Sequence, residues 1–376
     1  MTALRDDIDP DGLLEFSVVF TDRSLNHMSA AFQGVMRDIS SLLREVYNAD
    51  GVALVPGGGT FGMEAVARQL AEGETVMVIR NGFFSYRWSQ IFEAGKLPAE
   101  EIVMMARRTG NDPQAPFAPA PIDEVTARIR EARPAVVFAP HVETASGMIL
   151  PDDYIKAVAD AVHEVGGLFV LDCIASGCIW VDMKETGVDV LLSAPQKGWS
   201  ASPSAGLVMM SEAALERVKA RQSSSFAADL GKWLSIMEAY EAGGHAYHAT
   251  MPTDALRKFR DVMLETKELG FARLAEAQWE QGRKVRALLA ERGIRSVAAD
   301  GFAAPGVVVC YTDNPEVQAG RAFAAEGAQI AAGVPLMVGE GDDYKSFRLG
   351  LFGLDKLQDV DASVGRLEAI LDKALA

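Results

Sequence analysis

Strand-length apolar runs, separated by helix-length amphipathic stretches, constrain the fold of this chain more than any other feature. They occupy residues 51–55, 75–79, 135–139, 168–172, 188–192 and 206–210. A strand that is apolar on both faces must be covered on both, and a parallel sheet flanked by helices does this. Helical patterns lie between the runs. Phe32, Val35, Met36, Ile39, Leu42, Leu43 and Val46 recur at three- and four-residue spacing, as one buried face of a helix requires. Residues 152–165 open after Pro151 and close at Gly166 and Gly167, the punctuation of another helix. The expected fold class is α/β, with a mostly parallel sheet covered by helices.

The pattern changes after Pro252. Residues 254–292 read as almost continuous helix with Gly270 the only clear breaker, a segment suited to bridging two domains. Beyond it, strand candidates 307–311 and 347–351 and a helical pattern over 361–375 suggest a smaller α+β domain. A length of 376 residues suits two domains. The expected division is an N-terminal extension 1–15, a large domain 16–270 and a small C-terminal domain 271–376. Residues 111–121 and 222–228, rich in Pro and in Ser, read as surface loops.

Charge excludes some partners. Against 52 acidic residues stand 36 Lys and Arg, a net charge of −16, so nucleic acid or an anionic membrane surface is repelled over most of the surface. The three cysteines, Cys173, Cys178 and Cys310, are too few for a disulfide framework and lack zinc-ligand spacing. Residues 1–11 are acidic, and no run of about 18 apolar residues occurs. A reducing cytoplasm, with no membrane attachment, is the expected home.

Three places could carry chemistry. Residues 57–62, Gly-Gly-Gly-Thr-Phe-Gly, follow a strand and open a helix, where free N–H groups can meet an anion. Alone, the motif reads equally as a tight turn or a phosphate site. A dinucleotide site calls for an acid about 20 residues on, where Arg80 and Asn81 stand instead; an arginine there still leaves an NADP oxidoreductase open. Asp172 ends an apolar strand, at the sheet edge where open α/β folds bind ligands, although alone it reads as a cap for the next turn. Lys197, among Pro195, Gln196, Gly198 and Trp199, can become a nucleophile toward a carbonyl carbon if its surroundings strip its proton; alone it reads as an exposed loop lysine. Anion cradle, acid and lysine on successive strand ends together match the needs of pyridoxal phosphate: N–H donors for its phosphate, a carboxylate for its pyridine nitrogen and an amine for its aldehyde.

Seven ordered segments carry a resemblance to a family: residues 57–65 (GGGTFGMEA), 81–88 (NGFFSYRW), 141–147 (HVETASG), 171–177 (LDCIASG), 194–197 (APQK), 247–252 (YHATMP) and 347–353 (FRLGLFG). The chain resembles the class V, fold type I, pyridoxal-phosphate-dependent aminotransferases, closest to the alanine or serine:glyoxylate group, from about residue 25 to 375. The resemblance implies a large domain around a seven-stranded-type sheet with a smaller C-terminal domain. It also implies a transferase that moves an amino group from a small amino acid (alanine, serine or aspartate) to glyoxylate or pyruvate, on a ping-pong course alternating aldimine and pyridoxamine forms.

By the same resemblance, Lys197 bonds to the cofactor and shuttles the proton at Cα, and Asp172 pairs with the pyridinium nitrogen. Phe84 stacks on the ring, and Thr144 bonds the phenolic oxygen. Gly58, Gly59, Thr60 and Gln196 hold the phosphate. Tyr247 and Thr250 reach the phosphate of a neighbouring subunit, which implies a homodimer, while Arg348 receives the substrate α-carboxylate. His141 and His248 read as packing residues. Residues 16–29 lack the Pro-Gly-Pro loop with which relatives begin; His27 keeps a family position, and Asn26 or Arg23 is the candidate substrate reader there. Competing readings are a class V lyase of the Cβ-elimination or desulfurase type, an NADP oxidoreductase on the 57–62 turn, and a binding protein that keeps the fold without activity. Donor, acceptor and pathway stay open.

Overall fold

The computed structural model describes residues 7–375. Its central sheet has seven strands: β1 (Gly51–Pro56), β2 (Thr75–Arg80), β3 (Glu100–Met105), β4 (Val136–Pro140), β5 (Leu168–Asp172), β6 (Val190–Ser193) and β7 (Ala205–Met210). Their order is β1-β7-β6-β5-β4-β2-β3. Only β7 runs antiparallel to its neighbours, pairing Gly51 with Met210 on one side and Val190 with Met210 on the other. The carboxyl ends of β1, β2, β4, β5 and β6 therefore share one edge. Strands β4, β5 and β6 are buried along their whole length, as strands covered on both faces must be.

Helix α1 (Ala30–Tyr47) starts at Ser29, whose hydroxyl accepts from the Phe32 N–H, and buries Phe32, Val35, Met36, Ile39, Leu42 and Leu43. These are the residues whose spacing predicts it. Helix α2 (Gly59–Leu70) follows β1 and lies close to β7: a Cβ added to Gly206 would sit 2.7 Å from the backbone of Gly62. Two glycines let this helix touch the sheet. Helix α3 (Phe83–Gly95) follows β2.

Strand β3 is missing from the sequence reading. Its sequence, EEIVMM, buries fully only Ile102, because it is the sheet edge beside β2. Two glutamates and two methionines are as compatible with a helix as with an exposed edge.

After Pro252 come α4 (Thr253–Leu269) and α5 (Phe271–Glu291), divided at Gly270, whose φ of +92° ends the first helix. Leu256, Phe259 and Met263 of α4 join the core around the central sheet. Val285 and Leu289 of α5 join a second core with Val308, Phe347 and Leu371. That second core lies under a three-stranded sheet of β8 (Val307–Tyr311), β9 (Ala331–Ala332) and β10 (Ser346–Gly350), ordered β8-β10-β9, and under α6 (Val360–Ala374). A third cluster joins Phe117, Val142, Ala145 and Met148 to Val297, Val307, Tyr311 and Leu336, with Phe84 packed against it. This mixed cluster ties the sheet edge to the small sheet.

The loop reading of 111–121 needs correction. Phe117 and Ala115 are buried, and the Phe117 N–H donates to the Val297 carbonyl at 2.7 Å, so the second half is packed structure. The 222–228 segment carries Phe226 at 77% exposure. Of the expected N-terminal extension, residues 1–6 lie outside the described residues. Among the described residues no helix is long and apolar enough to cross a membrane.

Candidate active site

Five strand ends build one cavity of about 320 Å³. From β1 the chain turns through Gly57, at φ +123°, into α2. The Phe61 and Gly62 N–H groups turn back to the Gly58 carbonyl at 2.9 and 3.2 Å. Among the described residues the N–H groups of Gly58, Gly59 and Thr60 donate to nothing. They are the orphan donors of a helix start, at its positive end.

From β2 the chain passes Asn81 and Gly82 into α3, whose start is fixed by Glu143. One carboxylate oxygen of Glu143 accepts from the N–H groups of Phe84 (3.1 Å) and Ala145 (2.9 Å). The other accepts from the Ser85 N–H (2.8 Å) and hydroxyl (2.6 Å). A fully buried negative charge thus sits at a helix N-terminus with its lone pairs used. It positions Phe84, whose ring lies 5.2 Å from the Arg87 guanidinium and 5.5 Å from that of Arg348.

Asp172 ends β5 and is buried. Among the described residues its carboxylate accepts only from the Ile174 N–H, at 2.9 Å. Burial pushes its pKa up to about 7, with the Glu143 charge adding to the rise and the Ile174 hydrogen bond and Arg87 opposing it. Lys197 lies in the turn after β6. Its amine sits 5.4 Å from the Phe352 ring centroid, and no carboxylate pairs with it among the described residues. Burial, then the nearby Arg348 charge, draw its pKa below the ordinary lysine value. A lysine so placed gives up its proton more readily and is a better nucleophile.

Of the residues singled out from sequence, Gly58, Gly59, Thr60, Phe84, Thr144, Asp172, Gln196 and Lys197 all line this cavity. Arg348 stands beside it on β10, its Nε donating to the Ala332 carbonyl at 2.8 Å. Tyr247 and Thr250 do not reach it. They lie on the surface, bonded to each other at 3.2 Å, with Tyr247 56% exposed. Asn26 and Arg23 are also elsewhere: Asn26 donates to Glu15 at 2.7 Å, and Arg23 lies 3.7 Å from Asp22. His141 bonds the Ser176 hydroxyl at 2.7 Å and is buried. His248 bonds the Phe226 carbonyl. Arg80 donates to Ser89 at 2.7 Å and to the Met337 carbonyl, and lies over the Tyr86 ring, so it does not face the cavity. The three cysteines are buried, burial raises each thiol pKa, and none lines the cavity.

Two site residues carried no role from sequence. Glu143 stands in the HVETASG segment, between Val142 and Thr144, where nothing local marks it as the partner of a distant helix start. Arg87 lines the cavity and donates to the Thr60 hydroxyl at 3.0 Å; as one arginine in a helical stretch it gave no sign.

The cavity meets the needs of pyridoxal phosphate with groups left unused by the chain itself. Three N–H donors at a helix end suit a phosphate dianion. A buried Gln196 side-chain oxygen has no partner among the described residues, and amide ends are interchangeable. A buried carboxylate with one internal donor suits the ring nitrogen, and an unpaired, partly desolvated lysine suits the aldehyde.

Comparison with known proteins agrees. The aminotransferase class-V family model matches residues 15–330. A Synechococcus protein named as a soluble hydrogenase small subunit is 26% identical over 353 residues, 92% of this chain and 87% of its own. Alanine–glyoxylate aminotransferase 1 of Saccharomyces cerevisiae is 25% identical over 355 residues, 88% of this chain and 86% of its own. The crystal structure of an alanine–glyoxylate aminotransferase from Nostoc superposes with a TM-score of 0.80 at 23% identity, covering 94% of this chain and 89% of that one. The chain belongs to the class V aminotransferases, pyridoxal-phosphate-dependent enzymes of fold type I.

Proposed function

We propose that the enzyme moves the amino group of alanine, serine or aspartate to glyoxylate or pyruvate. The observation that carries this reading is Arg348. Its Nε is held by the Ala332 carbonyl, while its terminal nitrogens have no hydrogen-bond partner and no carboxylate among the described residues. A guanidinium fork held in place beside Lys197 and Phe84 suits a bidentate α-carboxylate. The cavity, near the low end of the range of small-molecule sites of roughly 300–1,000 Å³, favours a small side chain. The yeast and Nostoc relatives, named for alanine and glyoxylate, support the same pair.

Bound pyridoxal phosphate supplies a carbonyl that takes up the amine and a ring that accepts the electron pair released at Cα. The chain does the rest. Lys197 would hold the cofactor and, displaced by the substrate amine, would have a free amine to take the proton from the substrate Cα and return it at the cofactor's former aldehyde carbon. Asp172 keeps a proton at the ring nitrogen, since its carboxylate is buried and otherwise bonded only to one N–H. Phe84 covers a ring face, and Thr144 reaches the phenolic oxygen. The N–H groups of Gly58, Gly59 and Thr60, with Gln196, hold the phosphate, and Arg348 orients the substrate.

Tyr247 and Thr250 serve the same site in a second copy of the chain. Their exposure, together with that of Leu13, Phe16, Val18 and Phe226, supports a homodimer. The division at Gly270 into units 16–270 and 271–376 completes the proposal.

The test is a donor screen with the purified holoenzyme. The cofactor absorbance band bleaches with the physiological donor and returns with glyoxylate or pyruvate, and the donor's keto acid appears in equal amount. Release of ammonia or sulfide without need of a keto acid would replace this reading with a lyase.

A further inference from the structure

Arg87 has no assigned part in the chemistry, yet its guanidinium faces the cofactor cavity and pairs with no carboxylate among the described residues. It lies on α3 one turn after Phe84, so ring and guanidinium share a helix face, with Cζ 5.2 Å from the ring centroid. Its one hydrogen bond goes across the cavity wall to the hydroxyl of Thr60 on α2, at 3.0 Å. A guanidinium can only donate, and a hydroxyl has one proton and two lone pairs. At this contact, therefore, Thr60 Oγ1 is the acceptor, and its own proton is free to point elsewhere. Among the described residues the Thr60 N–H beside it is also free, as are those of Gly58 and Gly59.

We infer that Arg87 is a positioning residue for the cofactor phosphate: it holds the Thr60 hydroxyl as a donor into the cradle and sets a fixed positive charge behind it. The inference rests on the reading of residues 58–60 as the phosphate cradle. It supplies what that cradle lacks. Backbone and amide donors are neutral, and the dianion gains from one fixed cation close by. Arg348, 5.5 Å from the Phe84 ring centroid, is the proposed receiver of the substrate carboxylate.

The experiment uses cofactor-free enzyme and two probes, pyridoxal 5′-phosphate and pyridoxal, which differ only in the phosphate. Dissociation constants are read by fluorescence quenching for wild type, Arg87→Met, Arg87→Lys, Thr60→Ala and the Arg87→Met, Thr60→Ala double variant. Arg87→Met should weaken pyridoxal phosphate about tenfold, the scale of one charge-assisted hydrogen bond, and leave pyridoxal within about twofold. Arg87→Lys should recover part of the loss. In the Thr60→Ala background the Arg87 effect should shrink to the part its charge supplies alone, about threefold, as coupled partners do. Equal weakening of both probes would overturn the inference by making Arg87 a support for Phe84. So would an undiminished Arg87 effect without the Thr60 hydroxyl. If Thr60→Ala weakens pyridoxal phosphate and Arg87→Met does not, the cradle stands and the role of Arg87 falls. If Thr60→Ala spares the preference for the phosphorylated probe, the cradle reading itself falls, and the inference with it. Circular dichroism of each variant checks its fold, and Arg87→Lys carries the test should Arg87→Met not fold.

Discussion

Glu143→Gln keeps the size of a buried side chain and takes away half of its acceptors. The carboxylate serves three N–H groups and one hydroxyl: Phe84 and Ala145 on one oxygen, the Ser85 N–H and Oγ on the other. An amide nitrogen offers no lone pair. Placed toward Phe84 and Ala145 it orphans two N–H groups. Placed toward Ser85 it orphans one, while the Ser85 hydroxyl can turn its one proton to the Gly82 carbonyl, 2.9 Å away. The second arrangement is cheaper and sets the cost. One buried unpaired N–H costs about 1–3 kcal/mol, and losing a negative charge at the start of α3 costs about 0.3–1 kcal/mol more. The expected loss is therefore roughly 2–3 kcal/mol in the cofactor-free protein. Urea unfolding reads it as a lowered midpoint at unchanged m-value. Cofactor affinity should fall as well, because the start of α3, which carries Phe84, loses the Ser85 N–H bond and the charge that fix it. A loss below about 0.5 kcal/mol, within the range of an ordinary surface substitution, would refute the claim that this carboxylate holds the two motifs together.

Other outcomes follow from the same geometry. Burial raises the Asp172 pKa from 3.8 to about 7, so the folded cofactor-free chain keeps a proton that the unfolded chain has already released. The resulting stabilisation is complete below about pH 4 and is lost as pH rises through about 7, up to about 4 kcal/mol. Melting of the cofactor-free protein should show wild type losing stability relative to Asp172→Asn from about pH 4 to about pH 7; parallel curves would contradict this. Arg348→Met should raise the KM for the donor about 100-fold or more, the scale of a bidentate charged pair, and leave cofactor affinity within about twofold. Gly206→Ala would place a Cβ 2.7 Å from the Gly62 backbone and 2.9 Å from the Gly58 carbonyl. Overpacking of this kind costs about 1–3 kcal/mol, visible as a lower Tm, with weaker cofactor binding because α2 carries the cradle. Co-expressed Lys197→Ala and Tyr247→Ala chains should recover part of the activity that each lacks alone, since a mixed dimer holds one site with both residues intact; no recovery would count against the shared site.

The fold was legible where burial is complete. Strands β4, β5 and β6 are apolar on both faces, and their runs stand out without alternation. The face of α1 could be listed residue by residue before any coordinates. Edge strand β3 was not legible, because half of it meets water and its residues serve a helix equally well. The candidate site was legible where a residue type is rare in its setting: Asp172 at the end of an apolar strand, Lys197 beside Trp199, and Arg348 in an apolar strand. Their convergence was not, since no local pattern says that five strand ends share one edge; the family motifs supplied that. Glu143 and Arg87 lay inside the quoted motifs without a role, because their work consists of contacts made across the fold, 59 residues apart in sequence for Glu143 and Phe84 and 27 for Arg87 and Thr60.

The central claim is that Lys197 is the amine that holds the cofactor, in a site completed by Asp172. Borohydride reduction of the holoenzyme, followed by digestion and mass spectrometry, tests it most directly. The account predicts the reduced cofactor mass on the peptide containing Lys197, in near one-to-one amount, and none on the same peptide of Lys197→Ala. The mass on a different lysine, or on none in a protein that carries bound pyridoxal phosphate, would contradict it.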